Sequence, residues 1–433
     1  MFDQHIAILI LLGVFVVMIC FKLPITFALA ASSVLAAIYM KIPLMGIIQQ
    51  MAKNINNFSL MAIPFFILAG EIMGAGGISK RMLQAANACV GHLRGGLAHV
   101  NVLASMLFGH LSGSAVADVS SLGSIEIPMM VDGGYDRDFA VATTVTSSCQ
   151  GILIPPSHNM IIYSLAAGGV SVGALFMAGL VPGILCGVSL MIACGILSIR
   201  RNYPKGERMS WKKRGKVLLD AAYALFTAVI ILVGVTAGWF TATESAAIAA
   251  LYAFVVAKFI YKELSWKQIP KILYNVVKTL ATVFSLIAAA GAFGWLLAYL
   301  QVPSLVTHAL LTITKNKVVL LILINVLLLL LGCVMDMAPL IIIVTPILVP
   351  VVEAFGMSPV HFGVVLIFNL AVGLCTPPVG SALFVGCSVG KIKIENAVRA
   401  MVPLYIAMII CLILVTFVPS ISLALPRLLG YNV

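Results

Sequence analysis

Two short stretches carry the residues best suited to chemistry. Residues 151–156 read Gly-Ile-Leu-Ile-Pro-Pro and residues 373–378 read Gly-Leu-Cys-Thr-Pro-Pro, 222 positions apart. Both lie in long apolar runs. A proline removes one backbone donor and clashes with the carbonyl four residues back. Two in succession (Pro155-Pro156, Pro377-Pro378) leave carbonyl oxygens without partners. Such oxygens are hard ligands, suited to a hard cation such as sodium. A single Pro-Pro is more simply a kink. Two at matching places, each behind a glycine, point to a site, because Gly/Pro-interrupted segments at corresponding positions of two halves mark the binding region of many secondary transporters.

A second matched pair lies upstream of these breaks. Ser112-Gly113-Ser114-Ala115-Val116-Ala117-Asp118 precedes the first, and Gly332-Cys333-Val334-Met335-Asp336 precedes the second. The same offset sets Ser114 on Asp336 and His110 on Gly332. Ionisable groups in apolar segments are expensive and are functional candidates by default. Glu71, Asp118, Glu126, Glu244 and Asp336 qualify, and function is favoured for Asp118 and Asp336, which lie by the breaks in the matched runs. His158, directly after Pro-Pro-Ser, reads as a packed polar residue before a proton relay, and Arg137 as a loop residue in Gly-Tyr-Asp-Arg-Asp. No Walker A loop, His-Glu-x-x-His or Gly-x-Ser-x-Gly motif occurs, so the signatures of ATP hydrolysis and of common hydrolases are absent. The nine cysteines contain no Cys-x-x-Cys and read as small buried hydrophobes. No organic cofactor is expected.

The elements that must position these residues follow from composition. The chain is 62% hydrophobic and 9% charged over 433 residues, against about 25% charged in soluble proteins. The bilayer must be its main solvent. At roughly 20 residues per span, the length allows about twelve to fourteen spanning or re-entrant segments. The net charge of +12 does not indicate nucleic acid. Its densest stretch, residues 200–216, holds eight Lys/Arg and one Glu between apolar segments, as cytoplasmic loops do. The segment from about Ile6 to Phe21 reads as a retained span, without a signal peptide's basic start or cleavage site.

The halves repeat weakly. Pro128 and Pro350, and Gly134 and Gly356, share the offset of the two Pro-Pro breaks, and Phe58-Ser59-Leu60 recurs as Phe284-Ser285-Leu286. The reading is an all-α polytopic membrane protein of two repeats. An odd number of crossings per repeat would invert one relative to the other.

The chain also resembles the large membrane subunit (DctM type) of the TRAP, or tripartite ATP-independent periplasmic, transporters. The matching stretches are IPFFILAGEIM at 63–73, GHLRGGLAHVNVLASMLFGHLSGSAVAD at 91–118, IPPS at 154–157, GWFTATESAAIAALYA at 238–253, MDMAPLIIIVTPILVP at 335–350 and GLCTPPVGSALF at 373–384. The resemblance implies an elevator-type ion transporter with inverted repeats, re-entrant helical hairpins and broken helices. Scaffold helices would come from 1–55 and 200–275. The transport domain would come from 56–199, with a hairpin near 96–130, and 276–433, with a hairpin near 317–352. It implies sodium held by Gly332, Gly373, Thr376 and Val379, and at a second site by His110, Gly151 and Ile154. At that second site His110 replaces the small residue usual in the family. Substrate would lie by Ser112, Ser114, Asp118, Asp336, Pro155, Pro156, Pro377 and Pro378. The implied partners are a small four-helix membrane subunit, a periplasmic substrate-binding protein and a small organic acid anion, all at a bacterial inner membrane. Two other readings stay open: a self-sufficient ion-coupled anion transporter, and an intramembrane hydrolase using Asp118 and Asp336.

Overall fold

The computed structural model describes residues 3–433, apart from the side chains of Ser59, His110, Leu111, Ser112, Leu311 and Ile313. Among the described residues all regular structure is helix, joined by turns and loops, with one isolated bridge between Arg94 and Lys205. In hydrocarbon each backbone N–H and C=O must be satisfied inside the segment that carries it, and a helix does this. Among the described residues six helices are long and apolar enough to cross a membrane: Val172–Arg200, Trp211–Thr236, Ala242–Ile260, Trp266–Tyr299, Met337–Ala354 and Ile394–Phe417. A seventh candidate, Ala62–Ala75 with Ile78–Val90, bends by 74° at Gly76-Gly77. Gly77 has φ +73°, open to glycine at little cost, and the Glu263 carboxylate fills the space a Cβ would need.

The central part of the molecule contains the same assembly twice. Helix Gly96–Ser112 turns at Gly113-Ser114 and returns as Ala115–Ser121 and Gly123–Asp132. The arms are antiparallel: Asn101 lies against Met130, and the amide of Leu97 donates to the Tyr135 hydroxyl at 3.3 Å. Helix Lys317–Gly332 likewise turns at 333–336 and returns as Met337–Ala354, and Lys317 Nζ reaches the Gly356 carbonyl at 3.1 Å.

Each hairpin is fastened to the broken helix that follows it, at two levels. Deep in the arm a buried asparagine makes the link. Asn101 donates to Thr144 Oγ1 at 2.7 Å and accepts from Ser147 Oγ at 2.8 Å. In the other half Asn369 donates to Asn325 Oδ1 at 2.7 Å. Nearer the tip, glycine meets glycine. A Cβ on Gly109 would fall 2.4 Å from the Gly151 Cα, and one on Gly373 would fall 2.6 Å from the Gly332 Cα. The first-half partner in this contact is therefore Gly109, one residue before the His110 that a uniform offset selects.

The halves also cross over. Helix His158–Ala166, after the first break, packs on Met337–Ala354 of the second hairpin. Helix Ser381–Gly390, after the second break, packs on the returning arm of the first, where Gly386 meets Val119 and Gly390 meets Ile127. The hairpin bases lie at opposite ends of helix Val172–Arg200, which spans about 43 Å at 1.5 Å per residue. The first base is held at its Arg200 end, where Gly95 donates to the Pro204 carbonyl at 3.1 Å and Ser198 packs on Gly95. The second base lies beside the terminal helix Pro419–Leu428, whose flanking Tyr431 packs on Gly173 at the other end.

Two further apolar clusters flank this centre. Helices Gln4–Cys20, Ile25–Tyr39 and Leu44–Ile55 pack with Ile269–Tyr299, and Asn54 donates to the Ile287 carbonyl at 2.8 Å. Ala62–Ala75 and Ile78–Val90 pack with Trp211–Thr236 and Ala242–Val255. Arg81 pins this second group, pairing with Asp220 at 2.9 Å and Glu263 at 2.7 Å over the Tyr261 ring.

The basic loop is an ordered strap across the first hairpin's base. The Tyr203 hydroxyl donates to Asp136 at 2.6 Å, and Arg201 reaches the same carboxyl oxygen at 2.9 Å. The Tyr203 hydrogen bond, with the Arg201 charge beside it, holds the Asp136 carboxyl below the usual aspartate range. The folded state thus binds this proton less tightly than the unfolded chain. The strap's contribution is complete above the ordinary aspartate pKa of about 3.9 and fades as pH falls below it.

Two outcomes are expected. Gly109→Val puts a branched side chain into the Gly151 backbone, and overpacking of this kind costs about 1–3 kcal/mol; its melting temperature in detergent is expected to fall, whereas an unchanged value would mean the two helices can separate freely. Asp136→Asn is expected to lower the melting temperature at neutral pH and to reduce the gap from wild type below about pH 4, measured as a pH series; a gap that stays constant would show the strap to be indifferent to that carboxyl.

Candidate functional site

Both breaks close in the same way. After Gly151, the Leu153 amide donates to Gln150 at 3.0 Å and the Ile154 amide to Gly151 at 3.3 Å. After Gly373, the Cys375 amide donates to Val372 at 3.3 Å and the Thr376 amide to Gly373 at 3.0 Å. Each turn runs into a cis peptide between its two prolines, Pro155-Pro156 and Pro377-Pro378. A carbonyl oxygen has two lone pairs, so Gly151 and Gly373 retain accepting capacity. The Leu374 and Thr376 carbonyls converge on Gly380, lying 2.9 and 2.7 Å from where its Cβ would stand. The Thr376 hydroxyl donates to Val372 at 2.7 Å, which turns its lone pairs away from its own helix.

Each hairpin tip is docked on its break. Asn159 donates to the Gly113 carbonyl at 3.0 Å, and the His158 ring lies so close that a Cβ on Gly113 would fall 2.4 Å from Nδ1. Gly113 also has φ +60°, so glycine is required there twice over. On the other side the Val379 amide donates to the Cys333 carbonyl at 3.0 Å. Ser114 and Asp336 occupy equivalent places as N-caps of the returning arms. The Ser114 hydroxyl accepts from Ala117 at 3.4 Å, while the Asp336 carboxylate makes no capping bond and stands exposed.

The breaks differ in access. Residues 151–157 are buried throughout, including Ile154, Pro155 and Pro156. Around the second break Pro378 is exposed and Val379 is 49% exposed. Asp118 does not face the tip. It is 1% exposed and lies beside Ser105 of the first arm, whose hydroxyl approaches without closing a hydrogen bond. Glu126 is fully buried in the same arm, and among the described residues neither carboxyl has a hydrogen-bond partner. Of the residues expected to bind ligand, Gly332, Gly373, Thr376 and Val379 come together at the second break, and Gly151, Ile154 and Ser114 at the first. The side chains of His110 and Ser112 lie outside the described residues; their backbone ends helix Gly96–Ser112.

Three side chains at the breaks were not singled out in the sequence. The Ser157 hydroxyl is buried without a partner among the described residues, at the start of His158–Ala166. Tyr405 donates to the Cys375 carbonyl, fixing the second turn from helix Ile394–Phe417. Asn159 carries the tip contact already described. The signal for Ser157 was its place directly after Pro-Pro. For Tyr405, thirty residues downstream of its acceptor, the sequence offers none.

The donor set suits a hard cation. It is made of backbone carbonyls and hydroxyls, the ligands of alkali and alkaline-earth ions. Among the described residues no three His, Cys, Asp or Glu groups come together as a transition-metal site would need.

The fold and the whole chain have known relatives. The YdaH transporter of Alcanivorax borkumensis superposes with a TM-score of 0.66 over 90% of both chains at 15% identity, which supports the fold alone. The sialic acid TRAP transporter large permease SiaM of Vibrio cholerae is 42% identical over 385 residues, covering 89% of this chain and 90% of SiaM. The C4-dicarboxylate TRAP transporter large permease DctM of Rhodobacter capsulatus is 36% identical over 436 residues, covering 98% of this chain and 99% of that one. Residues 12–421 match the family described as the tripartite ATP-independent periplasmic transporter, DctM component. These relatives are transporter permeases and not enzymes, and this chain, a multi-pass membrane protein, belongs to the same family of TRAP transporter large permeases.

Proposed function

We propose that this chain carries a small organic acid anion into a bacterial cell across the inner membrane, coupled to sodium, by an elevator movement. The observation that carries the reading is the duplicated unit of hairpin tip docked on broken helix, its two copies based at opposite ends of one long helix. That arrangement suits inverted repeats closing on a shared site. Relatives that carry sialic acid and C4-dicarboxylates support a carboxylate substrate.

The carbonyls of Gly332, Gly373 and Thr376, the Thr376 hydroxyl and Val379 would hold one sodium. Gly151 and Ile154, with the backbone of His110, would hold its counterpart. Bound sodium supplies positive charge where no Lys or Arg stands. The N-termini of the returning arms at Ser114 and Asp336 add amide donors for a carboxylate. The exposed rim at Pro377 and Pro378 is where the substrate would sit, with the sealed Pro155-Pro156 turn behind it. Asp118 acts from inside its arm and not by touching substrate. Coupling to two inward charges releases about 4.6 kcal/mol at 100 mV. That is on the order of a thousandfold accumulation, less the share of any charge on the substrate.

The scaffold would be residues 1–55 and 200–275. The rest would travel as the transport domain, riding against the scaffold. The partners fitting a tripartite family are a small four-helix membrane subunit and a periplasmic protein that delivers the substrate.

Thr376→Ala is expected to weaken the sodium dependence of uptake in proteoliposomes about tenfold, the share of one ligand worth about 1.4 kcal/mol. Melting temperature without sodium should stay near wild type. An unchanged sodium response would remove Thr376 from the site.

A further inference from the structure

We propose that a cleft at the base of the second hairpin binds an oxyanion. The cleft holds about 380 Å³ and is walled by Lys317, Ser358, His361, Thr416, Phe417 and Arg427, among others, none of them acidic. Lys317 begins the first arm of the hairpin, and Arg427 belongs to the terminal helix Pro419–Leu428. Neither takes part in an ion pair among the described residues. Lys317 gives one donor to the Gly356 carbonyl at 3.1 Å, and Arg427 gives its Nε to a main-chain oxygen of Val433, the last residue of the sequence, at 3.3 Å. A lysine has three donors and an arginine five, so most of their hydrogen-bonding capacity is uncommitted.

The helix Pro359–Leu374 starts at this cleft. Its N-cap Ser358 lines the wall and makes no side-chain capping bond. The positive end of a 16-residue helix thus adds to two formal cations. His361 contributes a ring held by its Nε2 donating to the Val415 carbonyl at 2.8 Å.

The location makes these charges unexpected. The cleft lies at the end of Val172–Arg200 remote from the basic strap. The positive-inside rule accounts for lysines and arginines in the strap and cannot account for a basic cleft at the opposite face. Lys317 and Arg427 are both exposed, and no Asp or Glu lines the cleft they share. An anion bridging them would tie the hairpin's base to the terminal helix. Arginine, lysine and a helix N-terminus together recognise phosphate or carboxylate oxygens. Apolar walls from Leu321, Leu423 and Phe417 would suit the neck of a phospholipid, so the oxyanion can come from a lipid headgroup or from a small free anion.

The test uses full-length protein in sodium-free choline buffer, so that its outcome is independent of the coupling reading. Melting temperature is followed against inorganic phosphate in chloride of equal ionic strength, and in nanodiscs of phosphatidylglycerol against phosphatidylcholine. Wild type is expected to show a saturable rise with phosphate, with phosphatidylglycerol, or with both. A rise with phosphatidylglycerol alone identifies the lipid as the source, and a rise with phosphate makes a free anion sufficient. Lys317→Gln and Arg427→Gln should each weaken the apparent affinity about tenfold, the effect of one charged hydrogen bond, while Lys317→Arg should retain it. No rise in wild type under either condition overturns the proposal. So does a rise that survives unchanged in the double Gln variant.

Discussion

A backbone group opened at membrane depth has no water to turn to, and the structure depends on how that demand is met. Each Pro-Pro break frees carbonyls that a continuous helix would have satisfied. Locally a turn onto Gly151 or Gly373 answers part of that demand, and the residues after each break in turn donate to a hairpin tip. Asn159 takes the Gly113 carbonyl, and the Val379 amide takes that of Cys333. The break and the tip therefore need each other. Neither could stand alone in hydrocarbon, which explains why they occur as a unit and why the unit occurs twice.

The glycine pairs and buried asparagines set the distance at which this works. Gly109 on Gly151 and Gly332 on Gly373 bring backbones together with no side chain between them. Asn101 and Asn325 lock the arms to the same helices deeper down. Small residues and interhelical hydrogen bonds are what hold helices together where lipid competes for every apolar contact. The result is a rigid backing for the tips, so any motion must carry hairpin and broken helix as one body. The crossed packing of His158–Ala166 and Ser381–Gly390 onto the opposite hairpins extends that body across both halves.

Much of this was legible in the sequence because its cause is local. Pro-Pro, Gly-x-x-x-Pro and the shared offset announce the breaks, and the offset also set Ser114 on Asp336, both of which prove to be N-caps. What escaped was of other kinds. Leu44–Ile55, Ile78–Val90 and Pro419–Leu428 are short amphipathic helices that a search for apolar runs passes over. The offset slipped by one residue between the hairpin arms, so it chose His110 where the contact uses Gly109. Asp118 follows the tip in sequence, yet it is 1% exposed and lies beside Ser105 of the first arm. Long-range partners such as Tyr405 on Cys375 leave no mark in a single sequence.

The two tip-on-break units are proposed here as cation sites. The most direct measurement is the melting temperature of the purified protein in detergent, titrated with sodium against potassium and choline at constant ionic strength. The account predicts a saturable rise specific to sodium, because a ligand that binds only the folded state stabilises it in proportion to its occupancy. Identical melting curves in all three cations would contradict it.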